Sequence, residues 1–284
     1  MPGLRLVVVA GPGAPVAAVR RFAETTGLGV VNTWGLKGLF RWDSPFHLGT
    51  AGLQERDFDL AGVLDADIVL GIGLDPDESP RELLGTLVEV DEADLVVLAS
   101  RLGHADPAPA RPRLYTDLAA VVGPLYEATA APLNPARATA DLAAALPPGG
   151  LVTADPGPAG LWVARTFSTT ELGSVRVPAR RSSAAALTIA SEAARTGRPV
   201  IAVTTSPLDD PTAAAIETAR AEHLSLVVDV WAADAPPLSS ADHIALVSAA
   251  LAAGGLQIVN VPVDLTFTRL LVDVAGPVRA WQSV

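Results

Sequence analysis

Short apolar runs rich in Val, Ile and Leu recur along the chain, separated by segments long enough for helical crossovers. This alternation predicts an α/β protein built from two doubly wound parallel-sheet domains. Two further observations agree with it. Half of the residues are hydrophobic (50%), which is enough to cover parallel strands on both faces, and a length of 284 residues suits two domains.

In chain order, Leu4 to Ala10 reads as a buried strand, which the turn Gly11-Pro-Gly13 leads into a helix from about Val16 to Thr25. Gly29 to Thr33 is the next strand. Ile68 to Ile72, Thr86 to Val90 and Leu95 to Ala99 read as further strands, so residues 1–128 form the first domain. Pro132, Pro135 and their small neighbours mark 129–140 as a linker. The second domain, 141–284, carries strands at Leu151 to Ala154, Val200 to Thr204, Ser225 to Val230 and Gln257 to Val261. Helices fall at Asp209 to His223 and from about Ala241.

A net charge of -11 and a pI near 4.7 disfavour nucleic acid and anionic membranes, both of which need a basic face. No apolar run reaches the ~18 residues of a membrane span, and no basic segment precedes the start, so the expectation is a cytoplasmic protein. Cysteine is absent, which removes disulfides and thiolate chemistry. The four histidines show no metal-binding spacing, and neither a Gly-x-Ser-x-Gly elbow nor a Walker A loop occurs, so no catalytic residue and no metal ligand is assigned. The acids Glu89, Asp91, Glu92 and Asp94 read as a solvated edge and turn.

Gly11 and Gly13, following a strand, open a candidate phosphate site at a helix N-terminus, although Val16 occupies the third glycine position of a dinucleotide fingerprint. A larger constellation follows: Thr33-Trp-Gly35-Leu-Lys37-Gly38, Ser44-Pro-Phe-His47-Leu-Gly49, Gly52, and Ala66-Asp67-Ile-Val-Leu-Gly71-Ile-Gly73-Leu-Asp75. In order and spacing it resembles the central domain of thiamine diphosphate enzymes of the acetolactate synthase type. The second domain continues the likeness in Gly150-Leu-Val-Thr-Ala-Asp155-Pro-Gly157 and Leu161-Trp162. The resemblance implies FAD or an ADP-containing nucleotide as a candidate ligand of the central domain, with Gly73 at the strand end and Asp75 toward a ribose, or both only shaping a loop, and Lys37 either on a phosphate or on a surface loop.

The ligands of the second site depart from the family. Where a Gly-Asp-Gly motif and an Asn-Asn pair hold magnesium and diphosphate, this chain has Thr205-Ser206-Pro207 and Ala232-Ala233, and the cofactor-propping Gly-x-Met-Gly is replaced by Ala179-Arg180-Arg181-Ser182. A hard cation on a diphosphate requires oxygen ligands, usually with carboxylates among them, and these positions supply few. Asp209 and Asp210, just downstream, either compensate or form the acidic first turn of a helix before Pro211. Arg180 and Arg181, ahead of a helix capped by Ser182 or Ser183, are either an anion site or a solvated pair. The interval from Trp231 to Ser240 is short, where the family has a longer segment over the diphosphate. Met1 leads directly into the central domain, so the pyrimidine domain that supplies the family's activating glutamate is expected to be missing, and one chain of this kind is not expected to build the site.

The leading expectation is therefore a catalytically degenerate homologue that serves as a structural or regulatory subunit. Thiamine diphosphate and magnesium would bind only with a partner chain. The alternatives are one subunit of a split thiamine diphosphate lyase or carboligase, and a nucleotide or acyl-CoA binding protein using the central domain. Association follows in either case, as a homo-oligomer or as a heteromer with a pyrimidine-domain protein.

Overall fold

The computed structural model describes residues 4–104 and 110–282. The chain divides into two compact units, one running up to Ala120 with Leu271–Ala280, the other covering Val121–Leu270 with Trp281 onward.

The first unit holds β1 (Leu6–Ala10), α1 (Val16–Thr26), β2 (Val30–Thr33), β3 (His47–Ala51), α2 (Asp57–Leu60), β4 (Ile68–Ile72), β5 (Leu87–Glu89) and α3 (Glu92–Leu102). All five strands are parallel in the order β3-β2-β1-β4-β5, so the winding reverses between β1 and β4. Alternate residues bury on opposite faces. Val8, Ala10, Val30, Leu70 and Ile72 meet Val19 and Phe22 of α1 and Leu95 of α3. On the other side, Val9, Val31 and Val69 meet Phe58, Leu84 and Leu114. Leu95 to Ala99, which pattern alone reads as a strand, lies inside α3. The cause sits just upstream, where Asp91 accepts from the Asp94 amide at 2.9 Å and Asp94 accepts from the Asp91 amide, a capping box that starts a helix. Asp91, Glu92 and Asp94 thus form a helix start, while Glu89 ends the edge strand β5.

The chain passes from the first unit to the second within α4 (Arg113–Glu127). The second unit continues with α5 (Pro135–Ala145), β6 (Leu151–Ala154), α6 (Pro158–Thr166), β7 (Val175–Arg176), α7 (Ala185–Arg195), β8 (Val200–Thr205), α8 (Asp210–Ala221), β9 (Leu226–Trp231), α9 (Ser240–Ala253) and β10 (Leu256–Val261). The chain then enters α10 (Thr268–Ala275). Pro135, which reads as a linker residue, is the first residue of α5 behind an Asn134 cap on the Arg137 amide, a position where the missing proline N–H costs nothing.

The second sheet is also wholly parallel, ordered β10-β9-β8-β6-β7, with its reversal between β8 and β6. One face packs Val200, Ala202, Val228 and Val230 on Leu187 and Ala190 of α7 and Ile216 and Ala219 of α8. His243 of α9 is fully buried, and its ring nitrogens face Asp141 of α5 at 3.2 Å and Asp229 of β9 at 3.4 Å. Among the described residues, no helix is long and apolar enough to cross a membrane.

Candidate functional site

Open parallel sheets bind ligands at the carboxyl ends of their strands, where the strand order reverses. The two sheets treat that position differently. In the first unit, the loops after β1 and β4 press together backbone to backbone. The Gly11 amide donates to the Ile72 carbonyl and the Gly13 amide to the Gly73 carbonyl, each at 2.9 Å. A Cβ on Gly11 would lie 2.6 Å from the Gly73 oxygen, and one on Gly73 would lie 2.1 Å from the Ala14 nitrogen. These glycines let two loops meet, and the amides of Gly11 and Gly13 are already bonded within the chain. Asp75 is likewise engaged, its Oδ1 accepting from the Asp77 amide and its carbonyl from Ser79. Lys37 closes the single turn Trp34–Leu36, its amide donating to Trp34.

A carboxylic acid that no sequence motif singles out is buried here. Glu78 has no exposed surface, its Oε2 accepts from the Gly35 amide at 3.0 Å, and Gly35 and Gly52 leave room for it. Burial pushes its carboxyl up to about 7; the Thr33 hydroxyl and the Gly35 amide oppose this, and Asp75 and Asp77 reinforce it. Because the folded state holds that proton more tightly, its stabilising effect is complete below pH ~4.5 and lost as pH rises through about 7. His47, buried and held neutral to about 3 chiefly by burial, acts oppositely, removing stability as pH falls below ~6.5. The two overlap, so the wild-type profile alone does not separate them. Glu78→Gln should stabilise the first unit at pH 7 by up to about 3 kcal/mol relative to pH 4.5. Urea unfolding at the two pH values checks this, and an unchanged difference would refute it.

In the second unit the reversal point is open. A cleft of about 360 Å³ is lined by Asp155 and Pro156 after β6, Arg181 to Ala184 before α7, Thr204 and Thr205 of β8, and Pro207, Asp209 and Thr212 at the start of α8. Of the residues the sequence singles out, the fold brings Arg181, Ser182, Thr205 and Asp209 together. Arg180 and Ser206 do not line the cleft, and the Ser206 amide donates to the Trp231 carbonyl at 2.8 Å.

The start of α7 differs from the sequence reading. Neither Ser182 nor Ser183 caps it; Ala184 precedes the helix in a left-handed conformation, with φ 54°, and makes no side-chain cap. The Asp155 carboxylate, from the end of β6, accepts from the Ala186 amide at 2.8 Å. Asp209 caps α8 in the same manner, accepting from the Thr212 amide at 2.8 Å. Burial raises the Asp155 carboxyl above its usual range, opposed by the Ala186 amide and the Thr204 hydroxyl. The bonds from Thr212 hold the exposed Asp209 below that range.

This donor set can be tested against a magnesium diphosphate. Helix N-termini bind phosphates through free amides and a positive dipole end. Here both helix starts facing the cleft are already neutralised by carboxylates of the chain. No cluster of three or more His, Asp or Glu occurs among the described residues in an arrangement that would hold a metal ion. Thr205, Ser206, Ala232 and Ala233 add no carboxylate. A diphosphate would meet two anions with Arg181 as the one lining cation, so the residues present do not fit the group.

Residues 4–101 match the family model described as thiamine pyrophosphate enzyme, central domain, and this segment fits that domain. No curated protein sequence matches the chain. Among solved structures, the chain is similar to a protein from Mycobacterium smegmatis described as a thiamin diphosphate-dependent enzyme, with 19% identity and a TM-score of 0.66, over 91% of this chain and 61% of that one. It is also similar to the thiamine diphosphate-dependent 4-hydroxybenzoylformate decarboxylase of Rhodococcus jostii RHA1, with 15% identity and a TM-score of 0.68, over 92% and 61%. The chain therefore spans about three fifths of the length of these proteins. The likeness establishes the fold, two parallel five-stranded sheets with flanking helices as in thiamine diphosphate enzymes.

Proposed function

We propose that this chain, with its thiamine diphosphate enzyme fold, is a catalytically degenerate relative of the acetolactate synthase type that acts as a structural or regulatory subunit. One observation carries the reading: Asp155 and Asp209 place carboxylates on the α7 and α8 N-termini, where a diphosphate would need free amides. The isolated chain should give no heat with thiamine diphosphate and magnesium at concentrations up to about a hundredfold above the micromolar affinity of a working site. Micromolar binding in that titration would contradict the proposal. Inorganic pyrophosphate offers a sharper comparison. The double variant Asp155→Ala, Asp209→Ala, which removes both anions and frees the Ala186 and Thr212 amides, should bind pyrophosphate at least tenfold more tightly than the unaltered chain.

A second reading, one subunit of a split thiamine diphosphate lyase or carboligase, finds support in the cleft itself, which stays open at about 360 Å³ and keeps Arg181, Ser182 and Ser183 on its wall. Native purification with mass spectrometry separates the two. Co-purification of a pyrimidine-domain protein together with thiamine diphosphate would favour the split enzyme, whereas a partner with a complete site of its own would favour the subunit role. A nucleotide function of the central domain finds less support, because the Gly11 and Gly13 amides are bonded to Ile72 and Gly73. ADP and FAD should leave the melting temperature unchanged, since a ligand of the native state would raise it.

A further inference from the structure

Sheet edges expose unpaired peptide groups, and soluble proteins protect them by shortness, charge or cover. Three of the four edges here follow that rule. β3 is buried along nearly its whole length, β5 has three residues and ends on Glu89, and β7 has two and ends on Arg176. β10 is the exception. It has six residues, Leu256–Val261, pairs only with β9 among the described strands, and packs otherwise on α9 and α8. Ile258 is 41% exposed and Asn260 is exposed beside it. Proline enters only at Pro262, beyond the strand.

The surface next to this edge is equally unprotected. From Ile244 to Val263 the sequence contains no charged residue, the longest such run in a chain of net charge -11. It forms most of α9 and all of β10, and α9 leaves Leu246 49% exposed. We propose that this face is the site where a second copy of the chain docks, with the two β10 strands pairing antiparallel across a twofold axis to make one continuous ten-stranded sheet. Three considerations select that occupant. A free strand edge is complementary to itself under a twofold, which gives an isologous, closed contact. Two copies of an acidic chain approach with least repulsion where neither carries charge. The footprint also sets the strength. A six-residue strand is ~20 Å long and α9 is ~21 Å, and side by side they offer roughly 400 Å², about half of a standard interface per partner, so the dimer is reversible. The proposal rests on the fold alone and stands whether or not the cleft binds a cofactor.

Sedimentation velocity over a range from about one to several hundred micromolar should show a concentration-dependent dimer, with half-association in the tens of micromolar. The variant Ile258→Lys, Asn260→Lys should raise that midpoint more than tenfold, and Leu246→Lys, which leaves the strand intact, should also raise it. Because the chain has no cysteine, position can be read directly. Ile258→Cys should form a disulfide-linked dimer under mild oxidation, and Arg176→Cys on the opposite edge should not. A chain that stays monomeric throughout the range overturns the proposal, as does a dimer unaffected by the lysine variants or cross-linked equally well through Arg176→Cys.

Discussion

Asp229→Ala should lower the unfolding free energy of the second unit by about 3–5 kcal/mol, the range for breaking a buried ion pair by removing one partner. The size follows from where the charges lie. His243 and the side chains of Asp141 and Asp229 have no exposed surface, and the imidazole stands between the two carboxylates. Asp141 also accepts from Arg137 at 2.8 Å and from Ser240 at 2.6 Å, while Asp229 accepts from the Trp231 indole at 2.7 Å. Burial alone would lower the histidine, but the two hydrogen-bonded carboxylates outweigh it and raise the ring to about 9. The interior therefore holds imidazolium and guanidinium against two carboxylates, a neutral set that becomes unbalanced when either acid is lost.

The same set fixes a pH dependence. Since the folded value of about 9 lies above the unfolded value near 6.5, the charged ring contributes its full stability below pH ~6.5, and that contribution disappears as pH rises through 9. A raised value of this size corresponds to about 3 kcal/mol. Urea unfolding between pH 6 and pH 9.5 should show the decline, and His243→Gln should flatten it while destabilising the unit at pH 6. An equal slope in His243→Gln would show that the ring is neutral in the folded state. Hydrogen exchange in β9 and α9 peptides assigns the loss to this network, because those elements carry Asp229 and His243.

Strand content was readable from apolar runs wherever both faces are buried, as at Val200–Thr205 and Leu226–Trp231, whose residues are almost wholly enclosed. β3 escaped because His47–Ala51 carries His, Gly and Thr and gives no apolar run, although its residues are mostly buried. Leu95 to Ala99 misled for the opposite reason, since a helix that buries Leu95 against α1 is as apolar locally as a strand, and only the Asp91 and Asp94 pair just upstream distinguishes them. At the cleft, Arg181, Ser182, Thr205 and Asp209 were legible because each sits at the end of a strand or shortly before a helix. Asp155 as the cap of α7 was not, because its partner amide at Ala186 lies 31 residues away. The His243 network spans 102 residues to Asp141 and 14 to Asp229, and no spacing rule connects them. Glu78 carries no signal in the sequence, because the room for it is made by Gly35 and Gly52, more than twenty residues upstream.

Gly73→Ala should destabilise the first unit by roughly 2–5 kcal/mol, the sum of a left-handed penalty of ~1–2 kcal/mol and an overpacking cost of ~1–3 kcal/mol. Its φ is +56°, and the added Cβ would lie 2.1 Å from the Ala14 nitrogen and 2.2 Å from the Gly13 carbonyl carbon. Both neighbours are backbone, so no side chain can turn aside, and separating the loops would break the Gly13-to-Gly73 hydrogen bond. Gly11→Ala should cost less: its φ is not positive, but its Cβ still meets the Gly73 oxygen at 2.6 Å and the Leu74 Cα at 2.8 Å. Gly13→Ala should be mildest, with its nearest contact at 3.2 Å. The ranking bears on function as well as stability. Glycines that only admitted a nucleotide phosphate would tolerate alanine in the ligand-free protein and fail only in binding. Glycines that join two loops should fail without any ligand, in the order of their contacts. Thermal melts of the three variants without ligand, with exchange in β1 and β4 peptides, decide between these roles, and a Gly73→Ala melt indistinguishable from the unaltered chain would return the turn to a ligand-binding role.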